Sequence, residues 1–247
     1  VLYNIPDVDA TGISRGSKMA LKYMDIHTVW LPSEYLSQYR DNRGKPRKDL
    51  RDWMELRPEP GEFKKLINRA VPACFWTVKI ETSKDGKNVK RKFYIDFICL
   101  KNFLNLNGFF TLRDKTKKDT QFIKVTGNIV ELVTPKEIRA FVEKWAEEES
   151  LDRELRNLIA NTQFLNAASL ESLRELDPDF TNYTDRAQWF YFPKFALEVT
   201  AAGIIKHDSR SNITGRYVWR QNVIDHDVKV LDDMFTIPHP EGQTDSA

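Results

Sequence analysis

The sequence predicts an α/β segment followed by an α+β domain. Two observations carry this. Residues 1–32 read strand, helix, strand, a βαβ pattern that implies a parallel sheet. From Val71 onward short strands come in groups around tight turns, with amphipathic helices between the groups. The boundaries that follow are 1–70 for the first part, 72–235 for the second and 236–247 for a polar tail.

"VLYNI" is the first strand. "TGISRGSKMALKYM" is a helix, with Ile13, Ala20 and Met24 at helical spacing and Thr11 placed to cap its first turn. "HTVWLP" (27–32) is the second strand, stopped at Pro32. A polar loop (41–48) leads into the short helix of "KDLRDWMEL". "PGEFKKLINRA" (60–70) is an amphipathic helix with Phe63, Leu66 and Ile67 on one face.

"PACFWTVKIET" and "VKRKFYI" are strands around the turn "SKDGKN". "DFICLKNFLNL" (96–106) is a helix with Phe97, Leu100, Phe103 and Leu104 on one side, stopped at Asn107-Gly108. "FFTLR", "QFIKVT" and "IVELV" are strands, the last two joined through Gly127-Asn128. Thr134, Pro135 and Glu137 make a capping box with proline at the first helical position. Ile138, Phe141, Val142 and Trp145 form the buried stripe behind it. "LDRELRNLIANTQF" and "NAASLESLREL" continue as helices. "QWFYF", "FALEVT", "GIIKH" and "RYVWRQNVI" are the closing strands.

Composition excludes several classes. No apolar run is long enough to span a bilayer, and no signal peptide is present. The two cysteines, Cys74 and Cys99, have no CxxC spacing and read as buried thiols of a reducing, cytoplasmic compartment. "GISRGSK" lacks the spacing of a P-loop, and no GxSxG elbow is present. The four histidines lack zinc-ligand spacing. Net charge is only +2, but two predicted turns are basic. One carries Lys90, Arg91 and Lys92, the other Lys115, Lys117 and Lys118. Such tips can neutralise DNA phosphates or be plain solvated loops. Among the aromatics, Phe97, Phe103, Phe141 and Trp145 read as core. Of the run Trp189–Phe192, two should be buried.

The chemistry-bearing stretch is "NIPDVDATG". Asp7 and Asp9 follow a strand that starts a βαβ unit, where α/β sheets bind ligands. Two carboxylates on such an edge suit Mg²⁺, which keeps several waters. Gly12 and the helix start would let a phosphate approach the backbone. The other reading is an acidic turn.

"DVDATGISRGSKMA", followed in order by "VWLP" and "KDLRDWMEL", resembles the Toprim fold of bacterial-type primases and type IA topoisomerases. That resemblance implies that Asp7 and Asp9 hold Mg²⁺ or Mn²⁺ and that Asp49 and Asp52, with Lys48, line the same catalytic site handling nucleotides. The family's catalytic glutamate precedes this pattern and has no counterpart here. Residues 93–230 resemble the segment before the helicase motor in primase–helicases of phages and mobile elements. With Val1 as first residue and a polar tail, the sequence reads as an internal fragment of such a protein: a partial Toprim-like segment, then a helicase N-terminal-type domain, then a linker to a downstream ATPase. The resemblance implies DNA replication, DNA and nucleotides as partners, and homo-oligomers formed through the motor. The fragment alone is expected to be inactive. The rival readings are a non-catalytic DNA-binding or assembly module and a fragment of a Toprim nuclease or topoisomerase.

Overall fold

The computed structural model describes residues 1–82, 89–112, 120–207 and 216–225, which form a mixed α/β structure with parallel and antiparallel sheets. Strand β1 (Tyr3–Asn4), helix α1 (Ala10–Lys22) and strand β2 (His27–Thr28) make the βαβ unit, with Tyr3 opposite His27 in a parallel register. β2 is shorter than the predicted 27–32. The Val29 amide still donates to Asn4 O at 2.8 Å, after which the chain leaves the ladder and Leu31 turns into an apolar cluster.

Two details of α1 differ from expectation. Its N-cap is Asp9, not Thr11: the Asp9 carboxylate accepts from the Gly12 amide at 2.7 Å. Its buried face carries Gly16 and Ala20, while Ile13 is 42% exposed. The reason is steric. A Cβ on Gly12 would stand 2.4 Å from Asp7 O, and one on Gly16 would stand 2.7 Å from the Pro6 ring. Only a helix face without side chains comes this close to the 6–7 segment.

Helices α2 (Ser33–Ser37), α3 (Leu50–Glu55) and α4 (Glu62–Arg69) follow. They close a small core of Leu31, Leu36 and Trp53, with Ile5, Val8 and Leu66 packed against it. This first part is tied to the rest of the chain. The Cys74 amide donates to Met24 O at 2.8 Å, Asn102 Nδ2 donates to Val71 O at 3.2 Å, and Leu21 and Met24 pack on the main core.

Strands β3 (Trp76–Thr82) and β4 (Val89–Ile95) form a two-stranded antiparallel ribbon. Helix α5 (Phe97–Leu106), capped by Asp96, ends at Gly108, whose φ is +86° and whose Cα face lies against Val125 O. No L side chain fits there. Strands β5 (Phe109–Leu112), β6 (Gln121–Thr126) and β7 (Ile129–Val133) are antiparallel neighbours. Helix α6 (Pro135–Glu148) starts with the predicted capping box of Thr134 and Glu137. Helix α7 (Arg153–Asn161) packs beside it.

The predicted helix over "NAASLESLREL" is reduced to one turn, α8 (Ala167–Leu170). The segment then extends as β8 (Glu175–Leu176) along the free edge of β5, in parallel. Strand pairing there satisfies backbone groups that a short isolated helix would leave open. Strands β9 (Ala187–Tyr191), β10 (Ala196–Thr200) and β11 (Gly203–His207) form a separate antiparallel sheet, and β12 (Val218–Trp219) adds in parallel to β7. The five-stranded order is β12-β7-β6-β5-β8.

The main core holds Phe75, Phe103, Phe109, Ile138, Val142 and Leu155, all nearly inaccessible, with Phe97, Phe141 and Trp145 partly buried against it. Both cysteines are free thiols, and burial pushes the Cys99 thiol up to about 12. In the aromatic run, Tyr191 and Phe192 are buried and Phe190 is exposed. No helix among the described residues is long and apolar enough to cross a membrane. The tail 236–247 lies outside the described residues.

Candidate functional site

Asp7 and Asp9 follow the carboxyl end of β1. Two constraints place them. Pro6 packs under Gly16, and the Val8 amide donates to Lys48 O at 2.8 Å, which pins the turn to the chain just ahead of α3. In this arrangement both carboxylates meet one cation. Lys48 Nζ lies 3.1 Å from Asp7 Oδ2 and 2.9 Å from Asp9 Oδ2. All three side chains are roughly half exposed.

The electrostatics follow from this contact. The Lys48 ammonium holds the Asp9 carboxyl below its ordinary value, with the Gly12 amide adding to the effect and partial burial opposing it. Hydrogen bonds to Asp9 and Asp7 in turn hold the Lys48 ammonium protonated far into the alkaline range. At neutral pH the site carries two carboxylates and one ammonium.

The other sequence candidates are placed differently. Asp49 caps α3: its Oδ1 accepts from the Asp52 amide at 2.8 Å, and Asp52 Oδ2 returns the bond to the Lys48 and Asp49 amides at 2.7 and 3.3 Å. Both carboxylates are thus engaged in a reciprocal capping box rather than with Asp7 and Asp9. Gly12 does not offer a phosphate approach. Its amide is used by Asp9, and the space beside its Cα is filled by Asp7. Lys115, Lys117 and Lys118 lie outside the described residues, as does the side chain of Lys90. Arg91 and Lys92 are exposed on β4.

An open cleft of about 970 Å³ runs beside the pair, lined by Asp9, Lys48, Asp49, Arg51 and the 41–47 loop. One wall is fixed by Arg47, which sequence reading passed over. Its guanidinium lies 2.7 Å from Glu55 Oε2 and donates to Asp52 O at 3.3 Å, clamping the loop onto α3. An arginine eight residues ahead of a helical glutamate carries no local signal, since the contact exists only after the loop folds back.

Comparison with known protein families, with curated proteins and with solved structures finds no match to this chain. The site must therefore be judged on its own donors. Asp7 and Asp9 present two oxygens to one cationic point in an accessible position, which fits a hard divalent ion that keeps most of its waters. Among the described residues, no group of three or more histidine, cysteine, aspartate or glutamate side chains converges on a metal position. Among the described residues these two carboxylates are the set available, and Lys48 offsets one of their two negative charges.

Proposed function

We propose that this chain is part of a Toprim-containing DNA primase–helicase, and that Asp7 and Asp9 are the metal-holding carboxylates of its primase site. One observation supports this above others: both carboxylates converge on one cation at the carboxyl end of a parallel strand that begins a βαβ unit. "VWLP" and "KDLRDWMEL" follow in the order of the family.

In this reading Asp7 and Asp9 hold Mg²⁺ or Mn²⁺, which when bound stabilises charge on the oxygens of a phosphoryl group in transfer. Asp9 keeps its second role as cap of α1, so its carboxylate is fixed in direction before any ion arrives. Lys48 leaves the pair and turns its ammonium to the anionic substrate in the cleft. Asp49 and Asp52 act as positioning residues, since they hold the start of α3 and the backbone of Lys48. The part from Trp76 onward positions DNA. The protein acts in replication of a phage or mobile element, beside a helicase ATPase, in the cytoplasm of a bacterial host.

A second reading is favoured by the same contact. Lys48 already satisfies both carboxylates, so the trio also serves as a structural tie in a non-catalytic DNA-binding module. Mn²⁺ separates the two. Under the primase reading, Mn²⁺ raises the melting temperature of the wild type, raises that of Lys48→Met more, and leaves Asp9→Asn unchanged. A melting temperature that ignores Mn²⁺ in both wild type and Lys48→Met leaves only the structural tie.

A further inference from the structure

Among the described residues β3 and β4 pair only with each other, and one face of the ribbon anchors it. Trp76, Phe93 and Ile95 on that face pack against the main core, with Val78, Ile80 and Arg91 continuing the same face outward. Strand alternation puts Thr77, Lys79 and Glu81 of β3 on the opposite face, with Lys92 and Tyr94 of β4.

On this outward face the register sets Lys79 directly opposite Lys92. Like charges at directly opposed positions destabilise an antiparallel pair. Both lysines are exposed, and both ammoniums lie against one ring. Lys79 Nζ is 5.0 Å and Lys92 Nζ is 5.4 Å from the centre of Tyr94. Contact with the Tyr94 ring, and for Lys92 the Glu81 carboxylate on the same face, offset part of the repulsion. An arrangement that costs local stability yet is held in place is a mark of a binding surface.

We propose that Lys79, Lys92 and Tyr94 form a clamp for the phosphodiester backbone of a single nucleic-acid strand. Glu81 offsets part of the charge on Lys92, and an anion between the lysines offsets the repulsion that remains. The face is a narrow row one strand pair wide, which matches a linear polyanion better than a flat charged plane. The half-buried ring beside the ammoniums gives a base something to stack on. The clamp separates residues that the sequence groups together: Lys92 belongs to it, while Arg91 lies on the other face with Ile80. This inference rests on the proposed DNA-handling role but not on the carboxylate site, so it is tested with chelator present.

The experiment measures binding of the whole chain to a labelled oligothymidylate in EDTA across a salt series, together with melting temperature. Lys79→Thr and Lys92→Thr each remove one phosphate contact. Each should weaken binding about fivefold at 0.1 M salt and make the log–log salt slope shallower by about 0.7. Lys79→Thr should not lower the melting temperature, because it removes the repulsion, whereas Lys92→Thr also gives up its contacts with Tyr94 and Glu81. Lys79→Arg and Lys92→Arg should bind as the wild type does. Lys144→Gln, the same charge change on the solvent side of α6, should have no effect. Unchanged affinity in both threonine variants overturns the clamp, as does an equal loss in Lys144→Gln. Binding to phosphatidylserine vesicles that depends on the same lysines, with no oligonucleotide binding, also overturns it.

Discussion

Lys48 Nζ and Asp9 Oδ2 meet at 2.9 Å across 39 positions of sequence. The contact joins the turn after β1 to the start of α3, and it orders the charges on which the proposed site depends. Its pH behaviour follows from the two shifts. The Asp9 carboxyl is depressed, so its stabilising contribution is complete above the ordinary carboxylate value of about 3.9 and is lost as pH falls through the lower folded value. The Lys48 ammonium is raised, so its contribution is complete below about 10.5 and is lost only as pH rises beyond that. Lys48→Met should therefore melt below the wild type by a constant margin from about pH 5 to pH 10. The margin should close in acid, below about pH 4. A margin that does not change between pH 3 and pH 7 would show that the ion pair contributes nothing.

Gly12 is predicted to tolerate no side chain. In Gly12→Ala the new Cβ meets the Asp7 carbonyl oxygen at 2.4 Å, a backbone atom that cannot swing aside. Overpacking of this kind costs about 1–3 kcal/mol, while alanine in a helix regains up to about 1 kcal/mol. Urea unfolding should show a net loss, and the Mn²⁺ response should fall with it because Asp7 is the residue displaced. A stabilised Gly12→Ala would mean that α1 does not sit as described.

Arg139 holds the end of α7 from the neighbouring helix. Its guanidinium donates to Ala160 O at 2.7 Å and to Thr162 O at 2.9 Å, two carbonyls that the helix end leaves open. Arg139→Met should lower stability by about 1.5–3 kcal/mol in urea unfolding, the range for hydrogen bonds to a charged group. Arg139→Lys should recover less than half of the loss, because a single ammonium does not span both carbonyls as the planar fork does. Full recovery by lysine would show that charge alone matters.

Much of the fold was legible because its signals are local. Thr134, Pro135 and Glu137 announce the start of α6 within four residues, and Gly108 marks the end of α5 because its backbone needs a positive φ. The β3–β4 ribbon was likewise readable from its turn and flanking apolar residues. The misreadings came where a partner distant in sequence decided the outcome. Ile13 fits an apolar stripe on paper, yet α1 packs through Gly12 and Gly16, since Pro6 and Asp7 need the space. The stretch after Leu170 has helical composition, yet β5 offers an open edge and Glu175–Leu176 take it.

The candidate site divides in the same way. The sequence by itself singled out the candidates for the site: Asp7 and Asp9 two apart behind a strand, and a lysine with two more aspartates ahead of a short helix. Only the tertiary structure decided how they are spent. It brought Lys48 onto Asp7 and Asp9, whereas Asp49 and Asp52 close the cap of α3 locally, within four residues. It also set Lys79 against Lys92 on the outer face of the ribbon. The physical reason is range. Caps and turns are satisfied within a few residues and can be read in order along the chain. A charge finds its partner only after distant segments have packed, and the packing fixes which partner it finds.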